Sequence, residues 1–213
     1  MTKQQWAAHL AQKIPATNIK IDEPLRNYTM TKLGGAADVF VLPENEEQAT
    51  YVVRYAYDNN IPLLMLGNGS NMVVRDGGMR GIVVTFAHLN TIEITDTHVH
   101  AGAGALLKDV SKAAAANTLT GLEFSCGIPG SIGGAMAMNA GAYGGEMADV
   151  THQLTVLTKQ GELLVLSKDE LKLGYRKSII ATEGYYVLSA EFDLQRGDQA
   201  EIDAKIADLT HQR

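Results

Sequence analysis

Most of this chain's capacity for chemistry lies in two glycine-rich stretches, Gly67-Asn68-Gly69-Ser70-Asn71 and Gly127-Ile128-Pro129-Gly130-Ser131-Ile132-Gly133-Gly134. Glycines remove the Cβ atoms that would keep another group away from the backbone. In the first stretch, a hydroxyl and an amide stand beside a compact nest of backbone N–H donors, a pattern suited to anions. In the second, Pro129 stiffens the turn ahead of Gly130. Ser131 then opens a small apolar run, Ile132 to Met138, that reads as a short buried helix. A helix start leaves backbone N–H groups free for an anion, most often a phosphate. Asn139, Gly141 and Tyr143 follow closely. Either stretch alone also reads as a tight crossover between packed strands, because isolated glycine motifs are weak signals.

Tyr175-Arg176-Lys177-Ser178 is the other candidate. An arginine beside a tyrosine can clamp a carboxylate bidentately or stabilise developing negative charge. The plain alternative is a surface arginine paired with a nearby acid. Arg26-Asn27-Tyr28-Thr29 carries the same ambiguity. The single cysteine, Cys126, sits among Leu122, Phe124 and Ile128 and reads as a small core residue. The six histidines are scattered, and His98 and His100 read as solvent-facing neighbours on one strand, so no metal site is expected.

The elements that must position these groups follow from periodicity and capping. Trp6, Leu10 and Ile14 predict an N-terminal amphipathic helix over 2–13, and Ile19 and Ile21 a short strand. Gly34-Gly35 lets the chain turn into a strand from Ala37 to Leu42, ended by Pro43. Asn45 can cap a helix from Glu46 to Tyr57, with acids in its first turn. The strand Ile61 to Leu66 completes a β-α-β unit, read as a parallel pair with the first glycine loop at its end. Gly81 to Thr85 is a further strand. Beyond residues 86–90 the style changes to short strands over 91–94, 98–101, 153–157, 163–166 and 186–192, with a helix at 106–115. That pattern predicts an antiparallel sheet with helices on one side. Ile202, Ile206 and Leu209 predict a terminal helix over 198–213.

A chain of 213 residues can bury a sizeable core in one large or two small domains. A net charge of −6 disfavours nucleic acid and anionic membrane surfaces as partners. No apolar run reaches the length of a bilayer span, and the first residues lack the layout of a signal peptide. One cysteine excludes an internal disulfide, so a cytoplasmic protein is expected. The two glycine loops, one in each half, point to a diphosphate held between the halves. A dinucleotide has that length and charge, and flavin or nicotinamide stays open. Few lysines or arginines stand near either loop, so backbone N–H groups and hydroxyls are expected to hold it.

Asn27-Tyr28-Thr29, Lys32-Leu33-Gly34-Gly35, the two glycine stretches and Tyr175-Arg176-Lys177-Ser178, in this order, resemble the UDP-N-acetylenolpyruvoylglucosamine reductase (MurB) family. The resemblance runs through almost the whole chain. It implies an α+β fold of the FAD-binding PCMH (vanillyl-alcohol-oxidase) type, with two subdomains at 1–86 and 87–197 and FAD between them. It implies NADPH as reductant and hydride transfer to the enolpyruvyl double bond of a UDP-sugar, giving the peptidoglycan precursor UDP-N-acetylmuramate.

Carried over by motif, Gly67, Asn68, Gly69, Ser70, Asn71, Gly127, Pro129, Gly130, Ser131, Gly133, Gly134, Asn139, Gly141 and Tyr143 would bind FAD. Arg176 would be catalytic, binding the substrate carboxylate and stabilising the enolate, with Tyr175 a second substrate contact. No histidine stands in the first loop to tether flavin, so FAD would be non-covalent. Only six residues separate Ser178 from Tyr185, too few for the lid-like insertion of the enterobacterial type. The family's full-length protein is expected to be a monomer. It continues into a substrate domain with a serine proton donor and a late glutamate, and nothing here matches either. The expectation is therefore a truncated form, with 198–213 leading towards that domain.

Overall fold

The computed structural model describes residues 1–212, and Arg213 lies outside them. Helix α1 (Lys3–Leu10) starts at a capping box, in which the Gln5 N–H bonds the Thr2 hydroxyl and the Gln5 side chain accepts from the Thr2 N–H. It ends earlier than its periodicity suggests, and Ile14 reaches the core from the turn beyond. Next come β1 (Ile19–Pro24), β2 (Ala36–Val41), α2 (Glu46–Asp58, capped by Asn45), β3 (Leu63–Met65) and β4 (Met79–Val84).

These strands form one sheet in the order β1-β2-β4-β3. The expected β-α-β pair is corrected here. β2 and β3 both run parallel to β4, which lies between them. Ile82, Val83 and Val84 are fully buried, and a strand covered on both faces takes the interior of a parallel sheet.

The second half runs β5 (Ile92–Thr95), β6 (His98–Gly102), α3 (Leu107–Ala116), β7 (Leu119–Thr120), α4 (Ile132–Ala137), β8 (Gly141–Ala142), β9 (Gly145–Glu146) and α5 (Met147–Val150). It continues with β10 (Thr151–Leu157), β11 (Leu163–Ser167), α6 (Ile179–Glu183), β12 (Tyr186–Asp193), β13 (Gln195–Arg196) and α7 (Gln199–His211). Five of these strands make an antiparallel sheet in the order β11-β10-β12-β6-β5, as the short alternating strands predict. Short β7 and β13 pair separately.

One apolar core joins the two sheets. It runs from Leu10 and Ile14 through Val39, Val84 and Val99 to Leu154 and Phe192. The other face of the first sheet carries a smaller cluster of Leu25, Ala37, Phe40, Leu66 and Val83. Helix α7 docks through Ile202 and Leu209, and its Lys205 reaches the buried Glu123 carboxylate at 3.2 Å. Cys126 is half-buried beside this helix, its Sγ 3.9 Å from the Thr210 hydroxyl, rather than inside the core.

Candidate functional site

Both glycine loops meet at a cleft of about 720 Å³ between the sheets. Leu63 to Asn68 and Thr85 to Ala87 line one side, and Ala103 to Leu106 with Ser131, Gly133 and Gly134 the other. Ile180, Ala181 and Gly184 to Val187 continue the wall, with Asp109 and Lys159 as its charged members. This size lies within the usual range for a small-molecule site, about 300–1,000 Å³.

The loops are pinned to each other. The Asn68 side-chain amide donates to the Pro129 carbonyl at 2.7 Å. A Cβ on Gly67 would come within 2.8 Å of the Ser131 hydroxyl, so glycine there lets the loops close up. Ser131 is 4% exposed, and its hydroxyl has no hydrogen-bond partner among the described residues. A buried hydroxyl without a protein partner in a cleft wall is a candidate contact for a bound group.

The helix start is less open than its sequence suggests. The Ile132 and Gly133 N–H groups donate to the carbonyls of Ala105 and Ala103, each at 2.9 Å. They stitch α4 to the segment after β6 and are not free for an anion.

The remaining expected site residues spread around this centre. Gly69, at φ +61°, lets Tyr28 and Thr29 approach, and its carbonyl accepts from the Met30 N–H at 3.1 Å. Ser70 and Asn71 are exposed beyond the cleft wall. Gly127, Pro129 and Gly130 do not line the cleft, and the Gly130 carbonyl accepts from the Leu107 N–H. Gly141 and Tyr143 belong to the β8–β9 hairpin, whose tip residues Tyr143 and Gly144 both have positive φ. Asn139 points away from the cleft. Its amide donates to the Gly174 carbonyl at 3.1 Å, and its carbonyl oxygen accepts from the Ala148 N–H at 2.9 Å.

Tyr175 and Arg176 occupy the tip of a tight turn closed by two 3.0 Å backbone bonds between Gly174 and Lys177. Arg176 sits at φ +53°, and Tyr175 is 91% exposed. Neither side chain lines the cleft. The turn adjoins it through Ser178, whose hydroxyl donates to the carbonyl of the cleft residue Ala137 at 2.7 Å and caps α6. Arg176 makes no ion pair among the described residues.

Sequence reasoning missed part of the wall. Gly104 lines the cleft just after β6, and a Cβ there would strike the backbone of Phe86. Lys159 had no such signal. It comes from the β10–β11 turn, and its stem lies over Gly184. Tyr186, also in the wall, has its phenol pKa pushed up by burial. Among the described residues no group of three or more His, Cys, Asp or Glu side chains is placed to hold a metal ion.

Residues 37–167 match the FAD binding domain family. Over all 213 residues the chain is 50% identical to the UDP-N-acetylenolpyruvoylglucosamine reductase of Exiguobacterium sibiricum, covering 70% of that protein. The chain belongs to the UDP-N-acetylenolpyruvoylglucosamine reductase family. The Staphylococcus aureus reductase is 52% identical over 204 residues, which are 96% of this chain and 66% of that relative. The solved structure of the Thermus caldophilus reductase, MurB, is 33% identical and superposes with a TM-score of 0.77 over 92% of this chain and 68% of that one. The chain thus spans about two thirds of the length of these reductases.

The fold is the α+β FAD-binding PCMH type, and FAD is the cofactor of this domain. The cleft suits that group. It lies between two pinned loops, is largely apolar, has Gly67, Gly104, Gly133 and Gly134 in its wall and holds a buried hydroxyl without a partner among the described residues.

Proposed function

We propose that this chain is the flavin-holding part of a reductase that converts UDP-N-acetylglucosamine enolpyruvate to UDP-N-acetylmuramate with NADPH as the electron source. The observation that carries this reading is the unpaired Ser131 hydroxyl in the wall of the cleft where the two loops meet. Bound there without a covalent tether, FAD would supply hydride transfer between NADPH and the enolpyruvyl double bond.

The chain's own residues do the rest. Gly67 and Gly104 let the cleft walls close up on Ser131 and on the Phe86 backbone, and Ser131 is the hydroxyl offered to a diphosphate. The Asn68–Pro129 bond holds the two loops at fixed separation. Leu63 to Leu66 and Val187 keep water from the bound ring system. Lys159 adds a positive charge to a wall whose backbone donors are partly spent on Ala103 and Ala105.

Arg176, which makes no ion pair among the described residues, grips the substrate carboxylate and stabilises the negative charge that grows on it as the double bond is reduced. Tyr175 beside it is a second contact. No residue of this chain is assigned the proton that completes the addition. Gly69, Ser70, Asn71, Gly141 and Tyr143 do not line the cleft and stay proposed FAD contacts by motif alone. Residues 1–86 and 87–197 serve as the two halves, in a cytoplasmic protein.

The test is to incubate the purified chain with FAD, desalt it and record the visible spectrum. Retained flavin absorption is expected, and loss of retention in Gly67→Val tests the cleft as the site. A folded, colourless wild-type chain would refute the reading.

A further inference from the structure

Asn139 is 4% exposed, sits at φ +42° just beyond α4, and directs nothing into the cleft. Both ends of its side-chain amide are committed, one to the Ala148 N–H at 2.9 Å and the other to the Gly174 carbonyl at 3.1 Å. We propose that Asn139 is a positioning residue for Arg176 rather than a ligand of the cofactor. The proposal rests on the reading of Arg176 as the carboxylate-gripping group.

The turn that carries Arg176 is fastened at both ends to the C-terminal end of one short helix, at its last residue Ala137 and at Asn139 just beyond it. Asn139 holds Gly174, and the Ser178 hydroxyl holds the Ala137 carbonyl at 2.7 Å. The other end of α4 carries Ser131 and Gly133 into the cleft wall. A six-residue helix, about 9 Å long at 1.5 Å per residue, therefore sets the distance between the flavin cradle and the arginine. Such a link matters because Arg176 is held in the left-handed region, at φ +53°, where a non-glycine residue is strained. Freed at Gly174, the turn would relax and take the guanidinium with it.

The chemistry demands asparagine. The position needs one acceptor facing Ala148 and one donor facing Gly174, and a small side chain that tolerates positive φ. Aspartate would keep the acceptor, lose the donor and set a carboxylate against a carbonyl. Serine would be too short to span both partners.

The experiment uses the FAD-loaded chain and compares Asn139→Asp, Asn139→Ala, Arg176→Gln and the Asn139→Asp/Arg176→Gln double variant. Three quantities are read: FAD retention, amide hydrogen exchange at Gly174 and Lys177, and the change in flavin absorption on adding UDP-N-acetylglucosamine enolpyruvate. The expected result for Asn139→Asp is unchanged FAD retention and exchange at Lys177 faster by about tenfold or more. Its substrate response should fall as far as that of Arg176→Gln, and the double variant should fall no further.

Weakened FAD retention with the turn still protected would make Asn139 a cofactor ligand and overturn the proposal. So would unchanged protection of the turn in both Asn139 variants. Additive losses in the double variant would do the same. If Arg176→Gln leaves the substrate response unchanged, the reading of Arg176 fails instead, and the exchange data still decide whether Asn139 holds the turn.

Discussion

Ser131 shows how a single residue can work against its own fold. Its buried, unpaired hydroxyl costs the ligand-free chain about 1–3 kcal/mol. Ser131→Ala should therefore leave the melting temperature of the FAD-free protein unchanged or raise it, while weakening FAD binding by about tenfold. Calorimetry with and without FAD separates the two effects, and a parallel fall in both would mean that Ser131 is structural. Ser131, Gly67 and Asn68 were legible in the sequence because glycine, proline and a short polar side chain leave few backbone options. Lys159 was not, because its place in the wall depends on the β10–β11 turn reaching Gly184 across the fold. Asn139 was legible as special but not in its task, since nothing local announces a bond to Gly174, 35 residues away.

At the scale of elements, the outer face of the second sheet holds a network that the sequence showed only as scattered histidines. His98 on β6 faces two carboxylates of β12, with Nδ1 2.9 Å from Asp193 and Nε2 3.1 Å from Glu191. A neutral imidazole has one donor, so both contacts are hydrogen bonds only when the ring is protonated. His152 on β10 meets the second Asp193 oxygen at 2.8 Å, Gln153 bonds Glu191 at 2.9 Å, and His100 lies 3.9 Å from Glu191. Glu93 of β5 stands opposite His100. The hydrogen bond to Asp193 raises the His98 pKa above its ordinary value, and His98 in turn lowers that of Asp193.

Because the folded His98 pKa is raised, its contribution to stability is complete below the unfolded value of about 6.5. It fades as pH rises through the folded value. Melting temperature should thus drop more steeply between about pH 6 and 8 in the wild type than in His98→Gln. Equal slopes would show that the network does not bind the three strands. Strand positions were readable from alternation, whereas β4 between β2 and β3 was not, because β-α-β periodicity is silent on which strand takes the centre.

For the whole molecule, the two halves share one core, so flavin binding and folding are coupled across both sheets. At a free FAD concentration a hundredfold above Kd, the bound state gains about 2.7 kcal/mol, which for a chain of this size raises the melting temperature by about 5–11 °C. Differential scanning fluorimetry over an FAD series checks this, and a flat series would mean that FAD does not bind the folded chain in preference to the unfolded one. Fold class was legible from the run of short strands after residue 90, but the shared core was not, since it is built by pairings of high sequence separation.

The same separation sets an order of events during synthesis. The first sheet lies entirely within residues 19–84, but β6 pairs with β12 across 95 residues, and Tyr186 and Val187 of β12 close the cleft wall. A ribosome that has released only the first sheet and the β5–β6 hairpin presents the first glycine loop alone, without the second loop or the β12 wall. Flavin loading therefore waits until Tyr186 and Val187 have emerged. Nascent chains arrested with residue 184 just outside the exit tunnel should retain no FAD, and chains arrested with residue 197 outside should retain it.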